Sequence, residues 1–391
     1  MIPYADFTYF GLLLYAIVPT LILGLAGRAN WRWALLLTMV VLAIQYHGKT
    51  TIGLELRAIW IVLVFGFWQW TIGRIYVATG ARSGSVFYTT IILSILPLLL
   101  TKFSPLIAPQ SDVGLLGISY VTFRALDVIF CLRDKVIGLP KGLNYLGFLF
   151  FFPTISAGPI DRYRRFICDV PKKRTRIEFL LDLDAAIHRV FRGFLYKFIL
   201  AALIKHYWLD PAASATTLRA LISYMYAYSF YLFFDFAGYS AFAIAFSYLL
   251  GIHTPENFDR PFLARNIRDF WNRWHITLSF WFRDHVYMRF LLAARRAGWM
   301  VNRHALAIAG YFLSFGLMGL WHGIELHFII YGLYQATLLS AFHLFSEWAK
   351  TRPQLIENPL WRAAAVVTTF QCVCFGLLIF SGRLDSFFKI G

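Results

Sequence analysis

The chain has 391 residues, of which 59% are apolar, 19% aromatic and only 15% charged, against about 25% charged in a typical soluble domain. That excludes an ordinary soluble enzyme and a disordered chain, and the four cysteines, with no CxxC pair and no zinc spacing, exclude a disulfide scaffold or zinc site. What remains is an all-α polytopic membrane protein, whose net charge of +17 is explained by cytoplasmic loops beside anionic headgroups and not by nucleic acid.

Phe7–Ala26 lacks a basic leader and a small-residue cleavage site, so it reads as a retained span. Further apolar stretches follow at Trp33–Tyr46, Ile59–Ala78, Val86–Thr101, Leu115–Leu132, Ile187–Ile204, Leu221–Leu250, Ala305–Trp321, Phe328–Phe345 and Arg362–Phe380. Several are too short or too polar to stand alone in a bilayer core of about 30 Å, which predicts one domain over 1–391. Asp6 before the first span and Arg28 and Arg32 after it place the N-terminus outside. Leu143–Ala157 carries Pro153 and has basic loops on both sides, and so does Ile276–Ala294. Both read as re-entrant segments, tolerated at membrane depth where they line a cavity.

Between them, Asp161–Arg176 holds Arg164, Arg165, Lys172, Lys173 and Arg174. This run either anchors topology or steers an acidic partner. In FFDFAGYS, Asp235 needs a donor, for which Tyr239, Ser240 or an arginine would serve. Phe262–Trp274 alternates basic and aromatic residues, as an interfacial helix does. Asn272, His275, Ser279 and Arg283 then recur at steps of three, four and four, the spacing of one helical face. Such a polar seam either stitches helices together or carries chemistry. Finally, His322 ends an uncharged span in FGLMGLWHG, among Gly316, Gly319 and Gly323. An ionisable side chain at membrane depth points to a functional site, and a neutral imidazole can take a hydroxyl proton. His322, Glu325 and His327 do not have zincin spacing, so no metal is expected.

GISYVTFRALDVIFCLRD (Gly117–Asp134), FFPTISAGPIDRYRRF (Phe151–Phe166), GFLYKFILA (Gly193–Ala201), FFDFAGYS within Phe233–Ile252, ENFDRPF (Glu256–Phe262), FWNRWHITLSFWFRDHVYMR (Phe270–Arg289) and GLWHG (Gly319–Gly323) together resemble the membrane-bound O-acyltransferase (MBOAT) family. The likeness is strongest to its branch that transfers D-alanyl groups to teichoic acids. It implies a ring of transmembrane helices around a thin centre with a tunnel, the family-like core covering about 115–345. It implies a multi-pass enzyme of the bacterial plasma membrane with no bound cofactor. The acyl group would arrive as a thioester on the phosphopantetheine of a cytosolic D-alanyl carrier protein and leave towards an envelope-side acyltransferase partner. His322 matches the catalytic histidine and His275 the second histidine. Asn272, Trp274, Ser279, Arg283 and Trp321 would line the tunnel or steady the oxyanion, and Arg164, Arg165, Lys172, Lys173 and Arg174 would dock the carrier. An O-acetyltransferase of the alginate type is the alternative within the enzyme class. A scaffold or flippase is the alternative outside it, although a flippase would call for mid-membrane charge and repeated halves.

Overall fold

A computed structural model describes residues 3–5, 7–28, 31–46, 55–80, 83–107, 117–170, 172–215, 217–299, 302–352 and 358–385. The expected span Leu115–Leu132 has its first two residues outside this set. The helices, in order, are α1 (Phe7–Leu25), α2 (Trp31–Tyr46), α3 (Glu55–Ala78), α4 (Gly84–Ile107), α5 (Ile118–Arg133), α6 (Gly142–Leu149), α7 (Tyr163–Asp169), α8 (Arg176–Phe194), α9 (Ala201–Ile204), α10 (Asp210–Ser214), α11 (Leu218–Leu249), α12 (Ile267–Trp271), α13 (Ile276–Phe282), α14 (Met288–Ala297), α15 (Arg303–His322), α16 (Leu326–Ala349) and α17 (Pro359–Phe380). π turns join α8 to α9, α9 to α10 and α13 to α14. Among the described residues there is no strand, only an isolated bridge between Phe258 and Trp274. The protein is an all-α polytopic membrane protein. Among the described residues five helices are long and apolar enough to cross a bilayer, within α4, α11, α15, α16 and α17, or six with α1, which bends by 42° and contains Pro19.

The chain packs as two compact units, Met1–Gly193 with Tyr239–Pro255, and Phe194–Gly238 with Glu256–Gly391. The first is organised by buried ion pairs and caps. Arg124, 1% exposed, donates to the carbonyls of Phe148 and Leu149 (both 3.0 Å) and Thr154 (2.7 Å). The first two carbonyls lie where α6 stops and the third ends the 3-10 turn Phe152–Thr154, so the guanidinium satisfies acceptors that a helix end leaves open. At eight residues α6 rises about 12 Å, too little to cross a bilayer, in keeping with a segment that does not traverse. Asp127 accepts from the Arg162 guanidinium and the Tyr163 N–H, both at 2.9 Å, at the start of α7. Gly117, at φ +77, lies where a Cβ would stand 2.3 Å from the Ile155 carbonyl oxygen, so this junction requires glycine.

The second unit departs from expectation at four points. Ile276 to Ala297 is one helical run through α13, a π turn and α14, and not the re-entrant hairpin expected over Ile276–Ala294. Basic residues at both ends identified a short segment but could not show whether it turns back. The expected interfacial helix over Phe262–Trp274 is broken into a 3-10 turn at Pro261–Leu263 and the five-residue α12. The seam of Asn272, His275, Ser279 and Arg283 is likewise divided. Asn272 is the C-cap of α12, and His275 is the N-cap of α13 in the left-handed region, at φ 42 and ψ 51. Only Ser279 and Arg283 sit on the helix that follows.

Glycines let α15 and α16 meet. A Cβ on Gly319 would stand 2.5 Å from the Phe328 carbonyl oxygen, and one on Gly332 2.4 Å from that of Phe315. Asp235 finds its donor in Lys197, an ion pair within this unit, in place of the tyrosine, serine or arginine expected. The pair sets the mostly buried Lys197 ammonium, in the π turn after α8, against the half-exposed carboxylate.

Candidate active site

His275 is held by an asparagine. Its ring, 5% exposed, has Nδ1 3.1 Å from Asn257 Oδ1. The same oxygen accepts from Thr277 Oγ1–H at 2.9 Å and the Thr277 backbone N–H at 3.4 Å. A backbone N–H only donates, so the Asn257 atom is the carbonyl oxygen and His275 Nδ1 carries the hydrogen. The neutral ring therefore presents the Nε2 lone pair. The Asn257 backbone carbonyl also accepts from the Ile276 N–H at 3.0 Å. Left-handed backbone at a non-glycine residue costs about 1–3 kcal/mol and persists only where its surroundings over-determine it; here one residue ties down both the backbone and the ring. Phe236 packs edge-on to the imidazole at 4.8 Å.

His322 is the last residue of α15 and is half-buried. Its imidazole lies 4.5 Å from the Trp321 ring, 4.8 Å edge-on from Phe380 and 5.9 Å stacked on Phe328, with Tyr331 at 6.4 Å. It is neither sealed in solid packing nor fully exposed. His275 and His322, 47 positions apart in the chain, both belong to the second compact unit.

A family model described as MBOAT, membrane-bound O-acyltransferase family, matches residues 50–381. The chain belongs to that family. It is 44% identical to the teichoic acid D-alanyltransferase of Bacillus subtilis (strain 168), with 98% of each chain covered. It is 37% identical, at the same coverage, to the teichoic acid D-alanyltransferase of Lacticaseibacillus rhamnosus. Similarity to the probable alginate O-acetylase AlgI of Pseudomonas aeruginosa is 32% and covers 68% of this chain and 48% of that one. As an MBOAT member the chain is a membrane acyltransferase.

The remaining expected site residues of this MBOAT chain divide. Trp274 is buried between Phe258 (5.2 Å) and Phe270 (5.6 Å). Ser279 and Trp321 are half-buried, whereas Asn272 and Arg283 are exposed. Arg283 pairs with Asp284 at 2.8 Å and covers the Phe280 ring. Of the basic run, Arg164, Lys172 and Lys173 are exposed. Arg165 is drawn into contacts with Asp161, Asp169 (2.9 Å) and the His253 carbonyl (2.5 Å). Arg174 pairs with Asp182 (3.1 Å) and caps α11 through the carbonyls of Tyr248 and Leu249, both at 2.9 Å. Sequence reasoning missed Asn257. Its signal was an amide within ENFDRPF, but nothing local indicated a histidine 18 residues on.

Proposed function

We propose that this enzyme moves a D-alanyl group from a phosphopantetheine thioester on a cytosolic carrier protein to a hydroxyl acceptor of the cell envelope. The end-to-end likeness to teichoic acid D-alanyltransferases supports the substrate class. The observation that carries the chemistry is the half-buried His322 imidazole at the end of α15, set among Trp321, Phe328 and Phe380. His322 is the general base: the acceptor oxygen attacks the thioester carbonyl carbon while the imidazole takes the hydroxyl proton. The C–S bond then breaks, the thiolate leaves on phosphopantetheine, and the imidazolium returns the proton to sulfur. The products are an ester and a free thiol. A thiolate leaves readily, so the base carries most of the burden, and such a group contributes about 10²–10⁴ in rate. His275, with its Nδ1 hydrogen given to Asn257, offers Nε2 as an acceptor for an incoming N–H or O–H; it can donate to an oxyanion only when protonated. The aromatic rings keep water from the thioester.

Discharge of a D-alanyl carrier thioester by the protein in vesicles tests this. His322→Ala should lower discharge by about 10²–10⁴ at unchanged protein abundance; undiminished discharge removes His322 from the chemistry. The shorter coverage of the alginate O-acetylase relatives makes acetyl transfer the second reading, and the mass of the transferred group separates the two.

A further inference from the structure

The second unit holds a groove that the acyl-transfer chemistry does not use. It has a volume of about 570 Å³ and runs between the C-terminal half of α16 and the N-terminal half of α17, with the start of α12 as its third wall. That is within the range of about 300–1,000 Å³ usual for ligand sites. Leu338, Phe342, Ala364 and Ala365 make much of it apolar, and Arg265 and Arg362 stand on its lining with Asn266 and Ser346. Arg362 sits in the first turn of α17, beside the last turns of α16, where Trp361 stacks on Phe345 at 6.0 Å. Arg268 adds a third guanidinium, 5.4 Å over the Phe342 ring. From Trp361 to Cys372 the helix rises about 16 Å, room for much of an acyl chain.

Arginines with a tryptophan above an apolar channel are complementary to a phosphate on an acyl chain. A guanidinium fork matches phosphate oxygens, tryptophan favours the headgroup level, and basic side chains near a membrane surface attract anionic lipid. We propose that this groove is a binding site for an anionic phospholipid, its phosphate between Arg265 and Arg362 and one acyl chain lying along α16 and α17.

The test uses the full chain reconstituted with equal amounts of phosphatidylglycerol and phosphatidylcholine of the same chains, then read by native mass spectrometry of the extracted protein. Wild type should retain phosphatidylglycerol over phosphatidylcholine. Each of Arg265→Gln and Arg362→Gln should lower that preference about five-fold, the worth of one basic side chain at an anionic surface. Ala365→Trp, which fills the channel and keeps both arginines, should reduce retention of both lipids. Equal retention of the two lipids by wild type, or an undiminished preference in the double arginine variant, overturns the proposal. So does full phosphatidylglycerol binding by Ala365→Trp together with displacement by inorganic phosphate, which would mark a phosphate site without a chain. A co-purifying protein helix in place of lipid overturns it as well. Should the arginine variants fail to fold, Ala365→Trp decides alone.

Discussion

Asn257 shows how much one amide can determine. Its carbonyl oxygen sets the His275 tautomer, and its backbone carbonyl anchors the left-handed turn on which that histidine sits. Asn257→Ala should leave the Nδ1–H and the Thr277 hydroxyl without their acceptor, at a cost of about 1–3 kcal/mol. We expect slower thioester discharge with carrier affinity unchanged; wild-type discharge would show that His275 orientation does not matter. A second residue-scale expectation concerns His253, in the loop after α11. The Asp182 carboxylate at 2.8 Å raises the pKa of its imidazole above the ordinary histidine value. A raised pKa means the pairing stabilises fully below about pH 6.5 and fades as pH rises through the folded-state value. Melting temperatures of wild type and His253→Gln should therefore converge as the pH is raised, and a gap that widens would contradict the assignment.

Helix pairing is controlled by where side chains are missing. α15 and α16 approach through Gly319 and Gly332, each facing a partner carbonyl oxygen within 2.5 Å of where a Cβ would be. Backbone cannot swing aside as a side chain can. Gly319→Val should thus cost about 1–3 kcal/mol and lower the melting temperature of the detergent-extracted protein, whereas Gly316→Val, with open space at its Cβ, should not. Equal effects would mean that the glycines act through helix propensity and not through packing. Of the glycines near His322, Gly319 thereby serves the helix pair first, and the histidine benefits because α15 ends against Phe328.

Across the whole molecule, charge placement makes two expectations measurable. The positive-inside rule puts the α7–α8 region in the cytoplasm, and Cys168 there is exposed. A membrane-impermeant thiol reagent should label Cys168 in inside-out vesicles and not in intact cells, with Cys168→Ser as control; the reverse pattern would invert the topology. The same region separates Arg165 and Arg174, which are drawn into structural contacts, from the exposed Arg164, Lys172 and Lys173, of which Lys172 also pairs with Asp169 at 2.8 Å. Reversing Arg164, Lys172 and Lys173 to Glu should weaken carrier binding about tenfold at low salt and less at high salt, without loss of protein. Arg174→Glu should instead lower yield, since its guanidinium caps α11. Unaltered carrier affinity in the triple variant would leave those charges as topology signals alone.

Composition alone established the membrane class, because 15% charged residues cannot clothe a soluble protein. The motif WNRWH with a downstream WHG pointed to the acyltransferase family and to His275 and His322. Hydropathy also marked α4, α11, α15, α16 and α17, whose apolar length is a local property. Three matters were settled only in three dimensions: the break between Asn272 and His275, the continuity of Ile276 to Ala297, and the partners of Asp235, Arg165 and Arg174. Several depend on a group far along the chain: Asn257 holding a strained turn, Lys197 meeting a carboxylate, or the end of α11 exposing carbonyls. Periodicity records which face a residue would take on an unbroken helix, and it cannot record a remote partner that makes breaking or continuing that helix the lower-energy course.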